Sequence, residues 1–215
     1  MIVYGHSLSP YVRKVLAFAA EKGIEIENRT VGLGSDEPEF LEASPFRKMP
    51  GFRDGDFTIC DSTAIVTYLE ALQPDPPLIP AEPKARARTI WYEEFADTIL
   101  MSPGQTLFYN RVVAPRFLGL AGDDKAATRA QREELPPIFD YLERTIPEDG
   151  FLVDGRLTLA DIAVASPFAN LEHVGATPDP DAYPKTTAYI AAILSRPSFA
   201  HWIERERSFL QRKAA

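Results

Sequence analysis

Residues 73–83, "QPDPPLIPAEP", hold five prolines and only three aliphatic or alanine side chains. Proline lacks a backbone N–H and fixes φ, so neither a helix interior nor a central strand runs through such a tract. The tract must end whatever precedes it and serve as a stiff connector. The chain on its two sides is therefore read separately, and the sides differ in hydrophobic period.

Before the tract, Ile2, Val3 and Tyr4 read as a short strand stopped by Gly5. Val12, Val15, Leu16, Ala19 and Ala20 then recur at helical spacing, with Arg13, Lys14, Glu21 and Lys22 assigned to the outer face. Pro10 suits the first helical turn and Gly23 the stop. "IEIENRTV", from Ile24, alternates as a second strand, and a crossover of this length implies parallel, right-handed pairing. A short helical "EFLEA" follows Pro38, and "GFRDGDFTIC" predicts a hairpin turning at Asp54-Gly55. A helix from Ser62 to about Leu72 closes the unit, giving the order β-α-β-α-β-β-α.

After the tract the strand signals nearly vanish. A long helix is expected from Ala85 to about Leu107, kinked or interrupted at Pro103-Gly104. Another spans about Lys125 to Thr145 despite Pro136-Pro137, and three more begin in "GRLTLADIAVASPFANLEHV", "YPKTTAYIAAILSR" and "RPSFAHWIERERSFL". The expected division is an α/β unit over 1–76, a proline-rich linker over 77–84 and an all-α domain over 85–215. In "LTLAD", Thr158 as N-cap sets Asp161 at the third helical position, where the pair forms a capping box. Leu157 and Ile162 are spaced for the accompanying staple, so Asp161 reads as a folding residue rather than a catalytic one.

The net charge of −8 repels phosphates at long range, which argues against nucleic-acid and anionic-membrane partners. No run of about 18 apolar residues occurs, and the start carries no cleavage-type leader, so a soluble cytoplasmic protein is expected. The single cysteine, Cys60, cannot form an intrachain disulfide, and no Cys/His cluster suggests a metal. In Asp61-Ser62, Ser62 reads as the N-cap of a Thr63–Leu72 helix, whose end exposes N–H groups suited to a carboxylate.

The opening strand, "SPYVRKVLAFAAEKG", "KMP" before a "DGD" hairpin, "DSTAIVTYL", the proline linker and "LTLADI" resemble the cytosolic glutathione transferase family. The likeness covers nearly the whole chain and is closest to serine-type, bacterial-like members. It implies a thioredoxin-like N-terminal domain with an all-α C-terminal domain, glutathione as ligand, a homodimer, and transfer of glutathione thiolate to a small hydrophobic electrophile. Glutathione-dependent isomerase, dehalogenase or peroxidase chemistry is an alternative, and a non-catalytic binding or structural dimer is another.

The resemblance also implies roles. Met49 before a cis Pro50 would offer its backbone N–H and C=O to the cysteinyl part of glutathione. Ser62 would hold the γ-glutamyl carboxylate, and Asp61 the ammonium. A hydroxyl at a helix N-terminus favours a thiolate over a thiol, which makes Ser9 the first catalytic candidate, Ser7 the second and Tyr4 the third. Serine at position 9 cannot form the mixed disulfide of glutaredoxin chemistry. Relatives often carry a cation before "PEFL"; here Ser35, Asp36 and Glu37 offer none, leaving Arg47 and Lys48 to compensate and Arg13 to add positive potential. Trp91, Tyr92, Phe95, Met101, Phe108 and Tyr109 are available to line the second-substrate side.

Overall fold

The computed structural model describes residues 1–212. Strands β1 (Ile2–Tyr4), β2 (Glu27–Arg29), β3 (Gly51–Asp54) and β4 (Phe57–Cys60) form one sheet in the order β2-β1-β3-β4. The β1–β2 pair is parallel, joined through helix α1 (Pro10–Glu21), and the other two pairs are antiparallel. This is the α/β arrangement expected from the strand and helix periods before the proline tract. Two details differ. The second ladder covers only Glu27–Arg29, because Ile24 and Ile26 pack onto the core instead of extending the strand. The hairpin turns at Gly55-Asp56, one residue later than expected, with Gly55 at φ 59°.

Helices α2 (Pro38–Ala43) and α3 (Ser62–Leu72) complete the first half. The proline tract is bolted on both sides rather than left as a free tether. Lys22 Nζ donates to Pro76 O at 2.7 Å, and Leu159 N donates to Leu78 O at 2.8 Å.

The second half is all helical. Pro103-Gly104 does not interrupt the long helix, which stays helical from α4 (Pro83–Glu94) through α5 (Met101–Phe108) to Leu118. The chain instead widens into π-helical turns at Phe95–Leu100 and Tyr109–Leu118. A proline in a helix cannot donate to the carbonyl four residues back and its ring crowds that carbonyl, which a wider turn relieves. The same association recurs where π-helical Ala130–Glu134 joins α6 (Asp124–Arg129) to α7 (Leu135–Thr145), immediately before Pro136-Pro137. Helices α8 (Leu159–His173), α9 (Pro184–Leu194) and α10 (Pro197–Arg212) follow. No helix among the described residues is long and apolar enough to cross a membrane.

Helix α8 is the axle of the molecule, buried along nearly its full length and packed against both α1 and α4. Its start carries the capping box: Asp161 Oδ2 accepts from Thr158 N at 2.8 Å, and Leu157 and Ile162 enter the same core.

The packing around α1 overturns one expectation. Arg13, Lys14 and Lys22 do not face water; their exposures are 0%, 1% and 2%. Arg13 and Lys14 lie on a face of α1 covered by the second half, where Arg13 meets Glu206 and Lys14 meets Glu93 and Asp97. Lys22, just past the helix, is covered within the first half, where it meets Glu70 of α3.

Candidate active site

Strand register gathers the site. Tyr4 pairs with Gly51, and Gly51 pairs with Cys60. The residues one step beyond these pairs, Gly5, Pro50 and Asp61, therefore lie side by side at one end of the sheet, about 10 Å across two strand spacings. Segments distant in sequence meet there because they end or begin three adjacent strands.

The loop Gly5–Ser9 leaves β1 tightly. Gly5 has φ 146°, and a Cβ at this position would fall 2.6 Å from Val12 Cγ2 and 3.2 Å from Met49 Cβ. Only glycine fits between the start of α1 and the Met49 turn. Ser9 then occupies the N-cap position of α1, half-buried, yet its hydroxyl caps no helical N–H. An N-cap serine ordinarily uses that oxygen on the second or third helical amide. Ser7 is buried in the same loop.

His6 is half-buried. Its Nδ1 accepts from Leu8 N at 3.0 Å, its ring lies 4.6 Å from that of Phe209, and burial pushes its pKa down. Tyr4, the third catalytic candidate, is fully buried, tilted against Phe40, and donates to Glu39 at 3.2 Å. It is a core residue. Although it is the last paired residue of β1, its ring packs into the small cluster of Val31, Phe40 and Ala43.

The Met49-Pro50 bond is cis. Just before it, Ser44 pins the Arg47-Lys48 turn: Lys48 N donates to Ser44 Oγ at 3.0 Å, and Ser44 Oγ donates to Lys48 O at 2.6 Å. Arg47 and Lys48 are both exposed, and Arg47 pairs with Asp36 at 2.5 Å. A Cβ on Gly51 would lie 3.2 Å from the Ala43 Cβ, so glycine leaves β3 closely packed on α2.

At the third strand end Asp61, not Ser62, is the N-cap of α3. Its φ is 85° and its Oδ1 accepts from Ala64 N at 3.0 Å. Ser62 becomes the first helical residue and is buried. A non-glycine residue at positive φ is uncommon and marks a position held by its surroundings. An open cleft of about 710 Å³ starts at Asp61 and runs along the outer face of α3 past Thr67 and Ala71 toward Glu94.

Arg13 is a correction. It is placed behind the site, not in it, with its guanidinium sealed against Glu206, Ser166 and Asn170. Its charge is neutralised there and adds no free positive potential to a ligand.

An acidic cluster that no local sequence pattern discloses ties α1 to the start of α3. Lys14 Nζ donates to Glu93 Oε1 and Asp97 Oδ2, each at 2.6 Å, while Thr63 Oγ1 donates to Glu93 and ties in the start of α3. The Tyr11 hydroxyl donates to Asp97 O at 3.2 Å. Burial, then the carboxylates of Asp97, Asp61 and Glu93, push that hydroxyl up to about 12. The only signal for the cluster in sequence is a set of charges at helical spacing, which a solvated face would show equally.

Burial outweighs the attraction of Lys14 at Asp97 and, with Glu93 and Asp61 nearby, raises its pKa to about 6. An unfolded aspartate titrates near about 3.9, so the native state holds this proton more tightly. The stability Asp97 contributes is then fully present below about pH 4 and is lost as pH rises through about 6. Asp97→Asn is expected to flatten that decline, measured as a smaller fall in Tm between about pH 4 and about pH 7. Parallel pH profiles for the two proteins would rule this out.

On the other side of the serine loop, Leu8 packs with Phe108, Val112 and Leu210, and Phe209 stacks on Phe117 with centroids 5.7 Å apart. Of the six aromatic or apolar residues available after the linker, Phe108 alone joins this wall. Tyr92, Phe95 and Met101 are buried elsewhere in the core, while Trp91 and Tyr109 are exposed. Among the described residues no group of His, Cys, Asp or Glu could hold a metal ion.

Comparison with known proteins agrees with this arrangement. The profile described as "Glutathione S-transferase, N-terminal domain" matches residues 3–77, and "Glutathione S-transferase, C-terminal domain" matches residues 116–206. Glutathione S-transferase theta-1 of Rattus norvegicus is 30% identical over 166 residues, covering 74% of this chain and 68% of that protein. A glutathione S-transferase of Hyoscyamus muticus is 29% identical over 95% of this chain and 98% of its own. The crystal structure of a glutathione S-transferase from Rhodospirillum rubrum F11 superimposes with a TM-score of 0.84 at 26% identity, covering 92% of this chain and 89% of that one.

A mixed sheet ending in a cis-proline turn, followed by an all-α half, defines a thioredoxin-like fold with a helical partner domain. The chain belongs to the cytosolic glutathione S-transferase family. Fold and family together support a glutathione-transferase-type activity in general terms.

Proposed function

We propose that this protein binds glutathione at the end of the sheet and transfers its thiolate to a small hydrophobic electrophile. The observation that carries the reading is the Ser9 hydroxyl, held at the N-cap of α1 with no helical amide as partner. It is thus available to donate to a sulfur placed beside the positive end of α1. Ser7, buried in the same loop, is the second candidate.

In this reading Met49 and Pro50 present backbone to the cysteinyl part, Ser62 and the α3 N-terminus hold the γ-glutamyl carboxylate, and Asp61 accepts from the ammonium. Lys48 and Arg47 stand nearest for the glycyl carboxylate. The electrophile lies against Leu8, Phe108 and Val112, and catalysis consists of making the thiolate and aligning two bound reactants. The functional unit is a cytoplasmic homodimer. The pairing of Arg47 with Asp36 favours a second reading, a non-catalytic dimer of the same fold, because it divides the Arg47 guanidinium between protein and ligand.

Calorimetry with reduced glutathione separates the two: heat of binding at sub-millimolar ligand is expected, and none at millimolar ligand would leave only the scaffold. A charge-assisted hydrogen bond is worth about 1.5–3 kcal/mol, or about one to two pKa units of thiol. Ser9→Ala should therefore return the bound thiol, followed by its thiolate absorbance, upward by about that much. A thiol pKa unmoved by Ser9→Ala but raised by Ser7→Ala would transfer the role to Ser7.

A further inference from the structure

The serine loop is not anchored by its own domain alone. Leu8 O precedes the helix and has no helical amide to accept from; it takes its hydrogen bond from Asn170 Nδ2 of α8, at 2.9 Å and buried. Pro10 O, two residues on, accepts from Ser166 Oγ of the same helix at 2.7 Å. The two carbonyls flank Ser9, so side chains of the second half hold the backbone on both sides of the candidate donor.

The Asn170 amide can point only one way. Its Oδ1 accepts from Arg13 Nη1 at 3.0 Å, and a guanidinium cannot accept, so the NH₂ is directed at Leu8. Arg13 is itself fixed by a two-pronged pair with Glu206, at 3.1 and 2.6 Å, and by Ser166 O at 2.7 Å. Glu206 of α10 also meets His173 Nε2 at 2.9 Å. The chain of contacts runs from α10 and α8, through Arg13, to the loop that carries Ser9.

We infer that Asn170 is a positioning residue which, oriented by Arg13 and assisted by Ser166, sets the Ser9 hydroxyl from the second domain. Asn170 touches neither reactant. Its effect passes through Leu8 O, and the catalytic part of the inference rests on the function proposed above. A donor displaced by a fraction of an ångström loses hydrogen-bond strength to a thiolate while the Met49-Pro50 and Asp61-Ser62 contacts, anchored on other strands, stay in place.

The test compares full-length wild type, Asn170→Ala and the milder Ser166→Ala, which removes the hydroxyl but leaves the Ser166 carbonyl on Arg13. Hydrogen–deuterium exchange of the Leu8 and Ser9 amides is read without ligand, and kcat, the KM for glutathione and the bound-thiol pKa are read with it. Faster exchange at this loop is expected in both variants, with kcat down about tenfold in Asn170→Ala, on the scale of one hydrogen bond. The thiol pKa should rise, with glutathione KM changed less than about twofold, the split that marks a transition-state rather than a binding contribution. Ser166→Ala should move the same way by a smaller factor, and it decides the matter if Asn170→Ala does not fold. Unchanged exchange in a folded variant overturns the positioning role. So does a loss confined to KM. If wild type itself fails to bind glutathione, the function proposed above falls, while the exchange result still judges the loop anchor by itself.

Discussion

Replacing Arg13 by alanine is expected to destabilise the protein by about 3–5 kcal/mol, a large share of the about 5–15 kcal/mol that holds a typical domain folded. The reason is the partner left behind. Glu206 is fully buried, and burial works against its charge; Arg13 and His173 nevertheless hold its pKa below the ordinary carboxylate range. Removing the guanidinium strands a carboxylate in the core and leaves Asn170 and Ser166 O without their donor. The pH dependence should change sign as well. In wild type the lowered Glu206 pKa contributes stability that is present above about 4.5 and lost as pH falls through its folded value. In Arg13→Ala the carboxylate is penalised when ionised, so acidification should recover part of the loss by protonating it. Urea unfolding at neutral and mildly acidic pH checks both statements, and equal midpoints for the two proteins at neutral pH would show that the pair adds nothing. Arg13→Lys keeps the charge without the fork and should fall between.

Asp161→Ala is the second large loss, about 3–4 kcal/mol, well above the about 1 kcal/mol of an exposed cap. Asp161 is fully buried, and its two oxygens accept from four donors: Leu152 N, Thr158 N, Thr158 Oγ1 and the Tyr189 hydroxyl. Alanine would leave two buried backbone amides unpaired and detach both the loop at Leu152 and helix α9 from the start of α8. Burial raises the Asp161 pKa despite those donors. Asp161→Asn, which keeps one acceptor oxygen but turns its NH₂ toward one of the two amides, should lose less than alanine while still losing stability. Thermal melting measures the loss. Unchanged melting with abolished turnover would instead make Asp161 a catalytic residue.

Both residues show how far the amino-acid sequence reads. The capping box at Thr158 and Asp161 was visible because its geometry spans one helical turn. Its four-donor environment was not, since Leu152 and Tyr189 arrive from other elements. The three strand ends, with Gly5, Pro50 and Asp61, were individually legible from turn chemistry and by resemblance. The N-cap of α3 falls at Asp61, one residue before the expected Ser62, because the two are equally good caps by type and only the backbone, with φ 85° at Asp61, chooses between them.

By itself the sequence determined what local physics controls: the helical and strand periods, the stop at the proline tract, the glycines forced by positive φ, and the cap at α8. These depend on residues within a few positions of one another. Tertiary structure alone decided the fate of Arg13, Lys14 and Lys22. A charge on a helix face is a solvated charge or a buried ion pair according to what docks over it, and periodicity carries no information about the docking helix. Helix α8, which covers Arg13, also supplies the amide that holds the serine loop, a contact across 162 residues that no local pattern encodes.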